Sequence, residues 1–128
     1  MAAMTAPDSF ARLVAEQAAS EHPWGARARQ WGLLTVFAQL WESLLLAPSG
    51  EVFVDRGLPD AALSAATGDE RETAHAQAAR RHPELRHLMP RRPPGARTCP
   101  QCDGSGEIAL PGGRRFFCGP PCNTKGWV

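Results

Sequence analysis

Four cysteines near the end of the chain stand in two pairs, Cys99-Pro-Gln-Cys102 and Cys118-Gly-Pro-Pro-Cys122, with fifteen residues between the pairs. Spacings of C-x2-C and C-x3-C across a hairpin-length spacer can turn four sulfurs onto one tetrahedral ion, and Zn²⁺ is the ion such sets hold in structural sites. Glycines stand where the backbone must fold tightly around sulfur: Gly104 and Gly106 after the first pair, Gly119 and Gly126 around the second. Between the pairs, Glu107-Ile108-Ala109-Leu110 and Arg114-Arg115-Phe116-Phe117 flank Pro111-Gly112-Gly113, a pattern of two short strands joined by a glycine turn. The expectation is a zinc ribbon over 99–128 with Cys99, Cys102, Cys118 and Cys122 as ligands. Four thiolates on Zn²⁺ carry a formal charge of about −2, and Arg97, Arg114, Arg115 and Lys125 are near enough in sequence to offset it. A closed set of thiolates leaves no position for water or substrate, so the metal is expected to hold structure and not to perform chemistry.

The run Cys99-Pro100-Gln101-Cys102-Asp103-Gly104-Ser105-Gly106 resembles one C-x-x-C-x-G-x-G repeat of the DnaJ-type cysteine-rich domain, and Cys118 to Trp127 resembles a degenerate second repeat. The second half departs from the family pattern. It has an extra residue between its cysteines, and Thr124 stands where the first glycine is expected, although Gly126 keeps the second. The chaperone has four repeats and this chain two, and no His-Pro-Asp tripeptide occurs, so recruitment of a heat-shock ATPase is not implied. Half-size modules of this kind also close many small bacterial proteins. The resemblance covers roughly a quarter of the chain and implies a metal site and little else.

Other cysteine chemistries fit less well. Cys118-Gly119-Pro120-Pro121-Cys122 superficially resembles the thioredoxin Cys-Gly-Pro-Cys, but the additional proline changes the ring a disulfide would close and no βαβ pattern leads into it. A rubredoxin-like iron site would want glycine where Asp103 stands. A disulfide framework needs export, and Met1 to Phe10 holds neither a charged start nor an apolar run. Zinc in a reducing cytoplasm is the simplest account.

With 128 residues, the chain has room for one small domain and an appendage. Fourteen Lys and Arg against thirteen Asp and Glu give a net charge of +1, so no overall field attracts nucleic acid or an anionic membrane. The longest apolar stretch, Gly32 to Ala47, is interrupted by Gln39, Glu42 and Ser43 and falls short of the roughly 20 residues a membrane span requires. The use of Ala, Arg, Pro and Gly with no Tyr fits a bacterial coding bias.

The expected fold class is α+β: a small, mainly helical N-terminal domain (1–89) with a β-hairpin, a Pro/Arg-rich linker (90–98) and the ribbon (99–128). Asp8 or Ser9 can cap a first helix that places Phe10, Leu13, Val14 and Ala18 on one face and runs to about Ser20. His22-Pro23 ends it. A longer second helix from about Gly25 would carry Trp31, Leu34, Phe37, Leu40 and Trp41, with Trp24, Trp31 and Trp41 as core anchors or an exposed aromatic patch. Leu44 to Leu46 and Val52 to Val54 around Pro48-Ser49-Gly50 predict a β-hairpin, with Leu44 to Leu46 as the end of helix two the other choice. One helical turn is expected in Asp60 to Ala66. Asp69 can cap a third helix whose acids lie at its start and arginines at its end, and Pro83 breaks it before a short turn in Glu84 to Met89. Few contacts are expected across the linker Pro90 to Arg97.

His75, His82 and His87 lack any H-E-x-x-H spacing and are expected to be surface histidines. The basic run Arg80, Arg81, Arg86, Arg91, Arg92 and Arg97 solvates a face or, in the other reading, contacts phosphates. No Walker loop, nucleophile elbow or dinucleotide fingerprint is present. The expected function is therefore that of a non-enzymatic, cytoplasmic zinc protein that presents a rigid surface to another protein. The alternatives are nucleic-acid binding through Arg80 to Arg97, weak and non-specific at most, and a role like that of a bacterial toxin-immunity protein.

Overall fold

Phe10, Leu13 and Val14 give helix α1 (Ala6–Ala18) one apolar face, and that face packs into the main core. The computed structural model describes residues 6–39, 42–56 and 63–128. Pro7 lies in the first turn of α1, where a missing N–H leaves no helical bond unmade. The helix therefore starts before the expected cap, and Ser9 is buried within it. Helix α2 (Pro23–Trp31) begins at His22, whose Nδ1 accepts from the Trp24 N–H at 3.2 Å, and ends at Gly32, which takes the left-handed conformation at φ 66°.

That stop corrects the expected long second helix. Leu34, Phe37 and Trp31 share helical spacing, but Gly32 terminates the helix, and Leu34-Thr35-Val36-Phe37 continues as strand β1 (Leu34–Gln39). Two β-branched or aromatic neighbours at 36 and 37 favour a pleated surface, and β1 finds its partner in β2 (Glu42–Leu46). A bulge between Thr35 and Phe37 shifts the register and disrupts the two-residue alternation a strand would show. Leu40 and Trp41, and residues 60–62 of the expected helical turn, lie outside the described residues. Ser64–Ala65 forms a short strand, β4, and not a helix.

The expected hairpin is present. β2 pairs with β3 (Val52–Asp55) so that Leu44 faces Val54 and Leu46 faces Val52, and Ala47 and Glu51 close the turn through a 2.9 Å backbone bond. β4 adds to β3, which gives a four-stranded antiparallel sheet in chain order β1-β2-β3-β4. Helix α3 (Gly68–Arg81) packs Ala74 and Ala78 against it. Its cap is Thr67 and not Asp69: Thr67 Oγ1 accepts from Glu70 N–H while the Glu70 carboxylate accepts from Thr67 N–H. Pro83 stops α3, and a 3-10 segment, Pro83–Leu88, drops Leu85 into the core.

Trp24 and Trp31 are half-buried and absent from the core cluster, so neither anchors it; Arg81 lies over the Trp24 ring at 5.2 Å. The core is built instead from Phe10 and Leu13 of α1, the sheet residues Leu34, Val36, Phe37, Leu44, Leu46, Val52 and Val54, and Ala74, Ala78 and Leu85. The fold class is α+β, and the cysteines lie in the C-terminal segment. There β5 (Glu107–Ala109) and β6 (Arg115–Phe117) form the second hairpin, and Arg97 and Val128 exchange two 2.8 Å backbone bonds that tie the two ends of the ribbon together.

Candidate metal centre

Each cysteine pair sits on a tight turn, and the two turns repeat one backbone shape. In the first, Asp103 and Gly104 take φ of 53° and 86°; in the second, Asn123 and Thr124 take 51° and 70°. Thr124 thus adopts the left-handed conformation at the place where sequence alone would ask for glycine. A β-branched residue held there is strained by roughly 1–3 kcal/mol and persists only where neighbours fix it. Three do so: Thr124 N–H donates to Cys118 O at 2.8 Å, Gln77 Nε2 donates to its hydroxyl at 3.3 Å, and Arg80 Nε donates to its carbonyl at 2.9 Å.

The β5–β6 hairpin folds these turns onto one another. Cys99, Cys102, Cys118 and Cys122 are all buried, and their Sγ atoms lie within 4.8 Å of one another. The Cys99–Cys118 and Cys102–Cys122 Sγ separations are each 3.7 Å, well beyond a disulfide. A tetrahedron with metal–sulfur bonds of about 2.3 Å places its sulfurs about 3.8 Å apart. Donor set and spacing therefore fit a tetrahedral, thiolate-bound ion. Gly126 N–H donates to Cys122 Sγ at 3.1 Å, and Ile108 and Val128 pack against the cluster.

As thiols, the four sulfurs perturb one another. Burial raises Cys118, and hydrogen bonds with Cys99 and Cys122 raise it further; burial likewise raises Cys122 against the pull of the Gly126 N–H. Burial also acts upward on Cys99, but the backbone N–H groups of Cys102 and Gln101 prevail and bring it down to about 7. A cation bound among the sulfurs reverses the penalty that close, buried thiolates would otherwise impose.

Two of the four cations expected to offset the thiolates, Lys125 and Arg115, are committed elsewhere. Lys125, 9% exposed, holds the Glu72 carboxylate at 3.0 Å and 3.1 Å and lies over the Trp127 ring, while Arg115 pairs with Glu107 at 2.7 Å. Arg80, assigned on sequence to a solvated basic run, reaches the ribbon instead. It donates to Thr124 O, to Lys125 O at 3.0 Å and to Gly104 O at 3.4 Å. Asn123 Nδ2 donates to Asp69 Oδ1 at 2.9 Å and Glu72 Oε1 at 3.0 Å, and Phe117 stacks edge-on against Phe37 at 4.8 Å. Few contacts were expected across the linker, yet the second cysteine turn is fastened along α3. Asp69, Glu72, Gln77 and Arg80 lie on one helical stripe, and that polar stripe was the available signal for a docking face.

The histidines do not gather. His75 Nε2 bonds Gly50 O at 2.8 Å, and burial lowers the half-buried His82 from its ordinary value. Among the described residues, the four cysteines are the one cluster able to hold a metal ion, and no helix is long and apolar enough to cross a membrane. No family model, curated protein or solved structure matches the chain.

Proposed function

We propose that this chain is a non-enzymatic zinc protein in which a closed four-cysteine site holds a half-size, DnaJ-like ribbon against an α+β domain, and that the assembled surface serves to bind another protein. The observation that carries the reading is the set of four buried sulfurs at tetrahedral separation. Thiolate donors favour zinc over hard cations, and four of them leave no open position for catalysis. A surface cleft of about 640 Å³ is lined by Thr67, Asp69, Arg71, Glu72 and His75. Thr67 there caps α3 and His75 Nε2 donates to a backbone carbonyl, so each has a structural role in the fold.

Phosphate binding by the basic run is less well supported, because Arg80 and Arg81 are engaged within the fold: Arg80 with the ribbon carbonyls, Arg81 with Gln77 Oε1 and the Trp24 ring. Metal analysis of the purified chain should give one zinc per molecule, with four thiols reactive only after chelation. Zero or two zinc ions, or thiols locked as disulfides, overturns the metal reading. Affinity capture with and without nuclease tests the partner: recovery that depends on nucleic acid overturns the protein-interaction reading.

A further inference from the structure

Every partner described for the Arg80 side chain is a backbone carbonyl, and all three carbonyls belong to the two cysteine turns. The guanidinium enters between the turns: a Cβ added at Gly106 would stand 3.0 Å from Arg80 Nε, and one at Gly126 would stand 3.0 Å from Arg80 Nη2. One of these bonds leads to a sulfur. Arg80 Nη2 donates to Lys125 O, and the same peptide unit, through the Gly126 N–H, donates to Cys122 Sγ at 3.1 Å. A cation at the oxygen of a peptide strengthens donation from its N–H, because hydrogen bonds in series polarise one another. Arg115 and Lys125 share their charge with Glu107 and Glu72, whereas Arg80 meets no carboxylate among the described residues. The groups it meets are the carbonyls of the two cysteine turns.

We infer that Arg80, a residue of α3 outside the ribbon, is a positioning residue that sets the metal affinity of the four-cysteine site through the Lys125–Gly126 peptide and by lying between both cysteine turns. The inference rests on the zinc reading above. Metal occupancy and the seating of the ribbon on α3 then form one equilibrium, because the same guanidinium serves both. Arginine suits the task where lysine does not: a planar fork reaches two or three carbonyls at once, while an ammonium is a point charge on a flexible stem.

The test uses the full chain and four proteins: wild type, Arg80→Gln, Arg80→Lys and Arg86→Gln. Zinc affinity is read by competition with a chromophoric chelator. The coupling between the metal nucleus and the Gly126 amide proton is read by NMR on the cadmium-loaded forms. Loss of a group that supports a metal ligand from outside typically weakens binding about 10–100-fold. Arg80→Gln is expected to fall in that range with a smaller Gly126 coupling, and Arg80→Lys to fall between it and wild type. Arg86→Gln, which removes the same charge from an exposed side chain that makes no contact with the cysteine turns among the described residues, is expected to stay within about twofold of wild type. Wild-type affinity in Arg80→Gln, or equal weakening in Arg86→Gln, overturns the inference while leaving the zinc site standing. Should Arg80→Gln fail to fold, wild-type affinity and coupling in Arg80→Lys overturn it. A wild-type chain that takes up no metal overturns both readings.

Discussion

At Gly126 the backbone runs at φ 93°, and a Cβ would stand 2.6 Å from Gly104 O. Conformation and space both exclude a side chain, so Gly126→Ala is expected to destabilise the chain by roughly 1–3 kcal/mol from backbone strain alone, measured by urea unfolding. Thr35 presents the opposite case. It is fully buried, and its Oγ1 meets no partner among the described residues. Thr35→Val keeps the shape and removes an unpaired hydroxyl, so it is expected to be neutral or stabilising by up to about 1 kcal/mol in the same assay; a clear loss would show that the hydroxyl has a partner. The cysteines yield a pH prediction. Cys118 and Cys122 have thiol pKa values raised by burial, so at neutral pH each carries a proton that the metal must displace. Lowering the pH favours the protonated thiols and therefore release. Zinc affinity should fall by more than about tenfold per pH unit between about 8 and 6, as chelator competition would show. A slope below one proton would mean the sulfurs are already ionised.

The elements that sequence reading found correctly are those specified by short-range chemistry. The hairpin around Pro48-Ser49-Gly50 and the stop at Pro83 depend on residues a few positions apart, and the four cysteines gather because two close pairs flank a short hairpin. β1 was missed because its helical spacing is real but its fate is decided at a distance, by Gly32 behind it and by β2 alongside. Part of the same edge is closed by a side chain: Gln17 from α1 donates to Thr35 O at 2.8 Å and accepts from Thr35 N–H at 3.0 Å, as a neighbouring strand would. No local pattern announces that arrangement. Gln17→Leu would leave both Thr35 backbone groups without this partner and is expected to cost about 1–3 kcal/mol. Equilibrium unfolding reads the loss; an unchanged midpoint would show that water replaces the amide.

The junction between ribbon and α3 was the part least legible in the sequence, because a proline-rich connection gives no sign of what packs across it. The structure fastens the second cysteine turn to Asp69, Glu72, Gln77 and Arg80, and sets Phe117 against Phe37 of the main core. Loss of the metal should therefore be felt well beyond the ribbon. Cys102→Ser removes one sulfur of the proposed metal site, and the strained Asn123 and Thr124 turn then loses its tie to the first turn through that site. An aromatic pair contributes about 0.5–1.5 kcal/mol and a charged hydrogen bond about 1.5–3 kcal/mol, so undocking should cost α3 and the sheet roughly 3 kcal/mol. For a chain of this size that corresponds to a drop of roughly 10 °C in Tm. The buried set of Phe10, Leu13, Leu46, Val54 and Ala78 remains, so the N-terminal part should still fold in the cold. Helical circular dichroism of Cys102→Ser should thus match wild type near 10 °C and melt about 10 °C earlier. A helical melt unmoved by the substitution would show that the ribbon and the α+β domain are energetically independent, whatever contacts they share.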